Sequence, residues 1–142
     1  MAKIFCDSNI LVGALWPESQ THQLCQQLLT SYSLIISHQV ILETSNVLSS
    51  PALKSLQPPE AEIATQQLLQ SPHITLVCPK TNTLQIWHEL FRRYKLGRQH
   101  FFDTYIVATM LSNNISKITT FNTKHFDFFK EIQVLSPESF FA

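Results

Sequence analysis

The sequence predicts an α/β protein: a central, mostly parallel sheet of about five short strands covered by helices. Three observations predict it. Short apolar runs recur along the chain, helix-length segments stand between them, and the runs stay apolar at successive positions instead of alternating. Strands buried on both faces read that way, and parallel neighbours need a crossover between them, usually a helix.

Taken in order, Lys3 to Cys6 is apolar and bounded by Asp7-Ser8-Asn9, which suits a buried strand ending at Asp7. Thr21 to Leu29 reads as a helix, with Leu24, Leu28 and Leu29 on one side and glutamines on the other. Ser33 to Ser37 is the second strand, and Val40 to Leu48 a helix stopped by Ser49-Ser50-Pro51. Pro58 and Pro59 open a helix running to about Gln70, since the first turn of a helix leaves its N–H groups unpaired anyway. His73 to Val77 is the third strand. Thr81 to Tyr94 is the next helix, with an N-cap candidate at its opening Thr81-Asn82-Thr83. Gly97 marks a loop, Phe101 to Leu111 is helical, and Lys117 to Thr120 and Ile132 to Leu135 are the last strands, separated by a turn around His125 to Phe129.

A chain of 142 residues has room for one domain, 1–142, with a core that needs no disulfide or structural metal. Hydrophobic residues make up 44% and charged residues 14%, the opposite of a disordered composition. Ten basic and ten acidic residues cancel, which excludes a general nucleic-acid coat and leaves room for a local patch. Cys6, Cys25 and Cys78 lack metal-site spacing and stand among apolar neighbours, so they read as buried reduced thiols. No run approaches the roughly 20 apolar residues that cross a bilayer, and Asp7 and Asn9 interrupt the apolar opening where a signal peptide needs a clean stretch. The expectation is a cytoplasmic protein without a membrane partner.

Three acids carry the chemistry. Asp7 falls at the carboxyl end of the first strand, where ligands sit in such sheets, although a turn or N-cap aspartate reads the same way. Glu43 borders the apolar stripe of its helix, about 60° from Val40 and about 40° from Val47; a snorkelling surface glutamate is the alternative. Asp103 lies near 100° on a wheel that has Phe102 at zero, Ile106 near 40°, Met110 near 80° and Val107 near 140°, inside the apolar arc. A bare carboxylate there costs several kcal/mol unless a cation, hydrogen bonds or a proton attend it. Its alternative is a first-turn acid favoured by the helix dipole, worth about 0.3–1 kcal/mol. Three converging carboxylates call for a hard divalent cation, Mg²⁺ or Mn²⁺, and the six scattered histidines form no competing cluster.

These residues resemble the PIN-domain nucleases, and among them the VapC-like toxins of toxin–antitoxin pairs. The resemblance rests on Asp7-Ser8-Asn9-Ile10-Leu11, on Val40 to Glu43 opening the second helix, on Phe102 to Ala108, and on Thr119 to Phe126, four blocks in the family's order. It implies a PIN-like α/β/α sandwich in which Asp7, Glu43 and Asp103 hold the metal ion, with Asn9 and Thr120 bracing the pocket. Asn122 stands where the family often has a fourth acid. Its amide holds a metal-bound water at most, so one strongly held metal is expected, and Asp127 is a conceivable substitute. The implied activity is hydrolysis of RNA phosphodiester bonds by in-line attack of water. The implied partners are an RNA substrate, a small antitoxin protein and a second copy in a homodimer.

The cluster Arg92-Arg93-Tyr94-Lys95-Leu96-Gly97-Arg98 holds four of the ten basic residues just ahead of Asp103. Arg92, Arg93, Lys95 and Arg98 read as phosphate contacts with Tyr94 as a base-stacking platform, or as a solvated helix end, or as a dock for an acidic antitoxin segment. A response-regulator receiver would need further acids where Phe5 and Cys6 stand, and a haloacid-dehalogenase phosphatase would need an aspartate in place of Asn9. The remaining rival is a PIN-fold protein that binds RNA or a partner and cuts poorly, supported by Asn122.

Overall fold

The computed structural model describes residues 2–54 and 56–142. Its strands are β1 (Ile4–Cys6), β2 (Leu34–Ser37), β3 (Ile74–Val77), β4 (Lys117–Thr119) and β5 (Gln133–Leu135). Its helices are α1 (Ser8–Leu15), α2 (His22–Ser31), α3 (His38–Leu48), α4 (Pro58–Leu69), α5 (Thr83–Tyr94) and α6 (Phe101–Ser112). The strands form one sheet in the order β3-β2-β1-β4-β5, and every neighbouring pair is parallel.

The chain steps outward from β1 to β2 to β3, then crosses back to the far side of β1 to lay down β4 and β5. Crossovers between parallel strands are right-handed, so reversing the direction of travel moves the helices to the opposite face. The packing agrees: α1 packs on α2 and α3, and α3 on α4, while α5 packs on α6. Phe5, Cys6, Leu34, Ile36 and Ile118 on the three inner strands are fully buried, as are Ile10, Leu11, Val107 and Met110 on the helices. The edges differ from the sequence expectation. Thr75 and Leu76 on β3 and Gln133 on β5 are exposed, because an edge strand has a neighbour on one side only.

Four further departures are local. Helix α1 was not anticipated; it follows β1 with only Asp7 between, so the block Val40 to Glu43 lies on the third helix. Helix α3 starts at His38, because Ser37 caps it by accepting from the Val40 N–H at 3.4 Å. In the opening Thr81-Asn82-Thr83 the N-cap of α5 is Asn82, but it makes no side-chain cap bond; α5 begins at Thr83, whose hydroxyl accepts from the Lys80 N–H at 2.8 Å. Cys6 and Cys25 are buried free thiols, but Cys78 is exposed just beyond the end of β3, with its sulfur 3.4 Å from His38 Nε2. Among the described residues no helix is long and apolar enough to cross a membrane.

Candidate active site

The order of strands reverses beside β1, which has β2 on one side and β4 on the other. Such a switch point opens a crevice at the carboxyl ends of the strands. Cys6 pairs with Thr119 there, and the Asp7 N–H continues the ladder to the Thr119 carbonyl at 3.1 Å. Asp7 and Thr120, the next residues of the two strands, therefore meet at the crevice.

Asp7 is also the N-cap of α1, the alternative that the sequence offered for it. Its Oδ1 accepts from the Ser8 N–H at 2.8 Å, and its Oδ2 accepts from Thr120 Oγ1 at 2.8 Å. Thr120 is fully buried, and its hydroxyl is saturated. It donates to Asp7 and accepts from Asn9 Nδ2 at 3.1 Å and from the Asn122 N–H at 3.0 Å, which uses its one hydrogen and both lone pairs. Asn9 closes the ring by accepting from the Phe121 N–H at 3.3 Å.

Glu43 is partly buried on α3. Its Oε2 accepts from Ser8 Oγ at 3.2 Å and its Oε1 from Gln39 Nε2 at 2.7 Å. Gln39 Nε2 also reaches the Phe102 carbonyl at 3.1 Å, tying α3 to the first turn of α6. Asp103, in that same turn, lies with its Oδ2 3.1 Å from His125 Nδ1. The apolar arc expected around Asp103 is wrong at one end. Phe102 is 73% exposed, whereas α6 is buried almost all round from Thr104 to Met110.

Burial pushes all three carboxyls above their ordinary range, and each is pushed further by another of the three. Asp103 acts on Asp7, Asp7 on Glu43, and Glu43 on Asp103. Hydrogen bonds from Thr120 and Ser8 oppose the rise at Asp7, Gln39 opposes it at Glu43, and the charge of His125 opposes it at Asp103. The acids therefore share one field, although among the described residues no three His, Cys, Asp or Glu side chains already stand close enough to hold one ion directly. An all-oxygen, triply acidic donor set suits a hard cation. Mg²⁺ takes one or two carboxylates and keeps several waters, so it does not need three direct ligands.

The other expected residues lie around this cluster. Asn122 enters it through its backbone N–H, and Asp127 is exposed and hydrogen-bonds to none of the three acids. Arg92, Arg93, Lys95 and Arg98 are exposed at the end of α5 and in the loop that follows. Arg93 is paired with Glu131. Tyr94 is not a free stacking platform: it donates to Glu131 at 2.6 Å, accepts from the Lys130 N–H at 2.9 Å, and packs edge-on against Phe128 and Phe129. Sequence reasoning missed Ser8, Gln39 and His125. Gln39 stands four residues before Glu43 on one helix face, a signal that was available. His125 meets Asp103 only through the fold.

The family model for the PIN domain matches residues 4–132. No curated protein sequence matches the chain. Solved structures similar to it include Mycobacterium tuberculosis VapC20, described as a sarcin-ricin loop cleaving toxin, at TM-score 0.69 and 19% identity over 92% of this chain and 99% of that one. VapBC2 from Rickettsia felis, bound to a DNA fragment from their promoter, aligns at TM-score 0.67 and 17% identity over 94% and 97%. A toxin–antitoxin complex from Klebsiella pneumoniae aligns at TM-score 0.64 and 20% identity over 96% and 98%. At these identities the likeness is one of fold.

Proposed function

This chain belongs to the PIN domain family, and from that premise we propose that it is a metal-dependent endoribonuclease, the toxin of a toxin–antitoxin pair. One observation carries the reading: Ser8 hydrogen-bonds to both Asp7 and Glu43, and Gln39 joins Glu43 to the first turn of α6 beside Asp103, so the three acids gather at the switch point of the sheet. Carboxylates drawn partly or wholly out of water and repelling one another are costly to a fold that has no use for them.

The carboxylates would hold Mg²⁺ or Mn²⁺, which when bound neutralises charge developing on a phosphate and lowers the pKa of a water. The chain's own groups do the rest. Ser8 and Thr120 fix the two oxygens of Asp7, and Gln39 and Ser8 fix those of Glu43. A carboxylate of the cluster would take the proton of the water that attacks phosphorus in line as the P–O bond breaks. Arg92, Lys95 and Arg98 are the proposed contacts for the rest of the RNA strand, with Arg93 shared with Glu131.

Two partners complete the proposal. The likeness to a toxin–antitoxin complex supports a small antitoxin protein. A homodimer is supported by an apolar groove of about 560 Å³ beside the acids, lined by Leu42, Leu84, Trp87, Phe101, Phe102 and Tyr105. Leu42, Leu84 and Phe102 are 70%, 59% and 73% exposed, an apolar face that a lone subunit leaves in water. The proposed compartment is the cytoplasm.

The test is cleavage of a mixed structured RNA pool by purified protein with Mn²⁺, with EDTA, and with Asp7→Asn. Cutting that needs the metal and the aspartate is expected. A folded, metal-loaded protein that never cuts would favour a PIN-fold binder of RNA or of a partner.

A further inference from the structure

Glu43 and Asp103 stand on helices whose main packing partners differ. Helix α3 packs on α1 and α4, whereas α6 packs on α5. Two carboxylates of like charge push apart, and the packing of neither helix on its partners fixes the gap between them.

Hydrogen bonds span the cluster instead. Ser8 joins Asp7 to Glu43, giving its N–H to the first at 2.8 Å and its hydroxyl to the second at 3.2 Å. The matching span from Glu43 to the turn of Asp103 is Gln39, at the second position of α3 and one turn before Glu43. Its Nε2 gives one hydrogen to Glu43 Oε1 at 2.7 Å and the other to the carbonyl of Phe102, the residue before Asp103, at 3.1 Å. A carbonyl only accepts, so the amide faces Phe102 through its nitrogen, and both hydrogens of that nitrogen are in use. Among the described residues this is the one hydrogen bond between α3 and α6.

Resting on the nuclease reading above, we propose that Gln39 is a positioning residue, a neutral brace that sets the separation of Glu43 and Asp103 before an ion arrives. It acts through Glu43 and touches neither ion nor RNA. A lysine or arginine could tie the same two helices, but its charge would weaken the pull of the cluster on a cation. An amide ties them and leaves that pull whole. Acids already in place need not be gathered by the ion against their own repulsion.

Gln39→Met tests the brace. It keeps the length of the side chain and the helix propensity, loses both hydrogen bonds, and offers a soft thioether that a hard cation does not seek. With Mn²⁺ alone as the probe, calorimetry on Q39M is expected to show about a tenfold loss of affinity, as when a partner supporting a metal ligand is removed. In the Glu43→Gln background the same substitution is expected to change Mn²⁺ affinity by less than about twofold, since the residue it acts through is already altered. In EDTA, hydrogen exchange of the Ile106 N–H, which closes the first turn of α6 on the Phe102 carbonyl, should quicken about three- to tenfold in Q39M, with Phe5 and Ile118 on the inner strands unchanged. Wild-type Mn²⁺ affinity in Q39M would overturn the proposal. So would a further tenfold loss in the double variant, which would make Gln39 a ligand in its own right, or exchange that quickens equally across the sheet, which would make its role general stability. Mn²⁺-dependent cutting of a mixed RNA pool by wild type is scored apart. Its absence beside a tenfold loss in Q39M would sink the nuclease reading and leave the brace standing. Wild-type protein that binds no Mn²⁺ would sink the metal reading, and exchange at Ile106 would then decide the brace alone.

Discussion

At the scale of single residues, the site is held by hydroxyls with no capacity to spare. Thr120 spends its one hydrogen on Asp7 and both lone pairs on Asn9 and Asn122. Thr120→Val keeps the shape and removes all three bonds, leaving Asp7 buried with one partner fewer. A hydrogen bond to a charged group contributes about 1.5–3 kcal/mol, so urea denaturation of T120V should give a loss of that size; a loss under about 0.5 kcal/mol would mean water replaces the hydroxyl. Asp103→Asn should act in two directions. It removes one member of a repelling set and so raises the stability of the EDTA-treated protein. Cleavage should fall by more than the roughly 10–100-fold that loss of a supporting partner costs. If D103N cut RNA at the wild-type rate, Asp103 would not belong to the machinery.

At the scale of elements, what was legible followed from local pattern. The strands were readable because runs such as Leu34-Ile35-Ile36 have no other economical fate, and Asp7 was readable because it ends one of them. Helix α1 was not, because β1 passes into it through Asp7 alone, and Asp7-Ser8-Asn9 looks like a turn. Glu43 was legible on its helical wheel. Thr120 came only through the family pattern, and His125 had no local signal, since its partner lies 22 residues away. Helix α1 also contains a packing constraint that sequence alone hides. A Cβ on Gly13 would stand 2.6 Å from Cys25 Sγ and 2.9 Å from Thr21 Oγ1. Alanine would add about 1 kcal/mol of helix propensity, but both neighbours are held in the α1–α2 contact, so overpacking of about 1–3 kcal/mol wins. Gly13→Ala should therefore destabilise, and Cys25→Ala in the same chain should recover part of the loss. A double mutant no more stable than G13A would place the strain elsewhere.

At the scale of the whole molecule, the site joins segments from both halves of the chain: α1 and α3 from the first, α6 and the turn after β4 from the second. The apolar face beside it is expected to hold two copies together, and Leu84→Glu should convert a dimer to a monomer in light scattering without loss of helix content. A metal bound to the acids should stabilise the entire fold, and the dependence on pH has a definite sign. The folded state holds Asp7, Glu43 and Asp103 above the ordinary carboxylate range. From about pH 4 up to those raised values it binds more protons than the unfolded chain, so these groups subtract stability as pH rises through that window. Glu131, which burial raises but hydrogen bonds from Tyr94, a backbone N–H and Arg93 together lower, works in the opposite sense, so the comparison must be internal. A divalent cation binds the ionised acids, so its contribution grows over the same window and reaches about 2.7 kcal/mol at a hundred times its Kd. Melting curves with Mn²⁺ and with EDTA should therefore separate progressively as pH is raised, and coincide at every pH in Asp7→Asn. A separation that ignores pH, or one that persists in D7N, would place the ion somewhere other than this cluster.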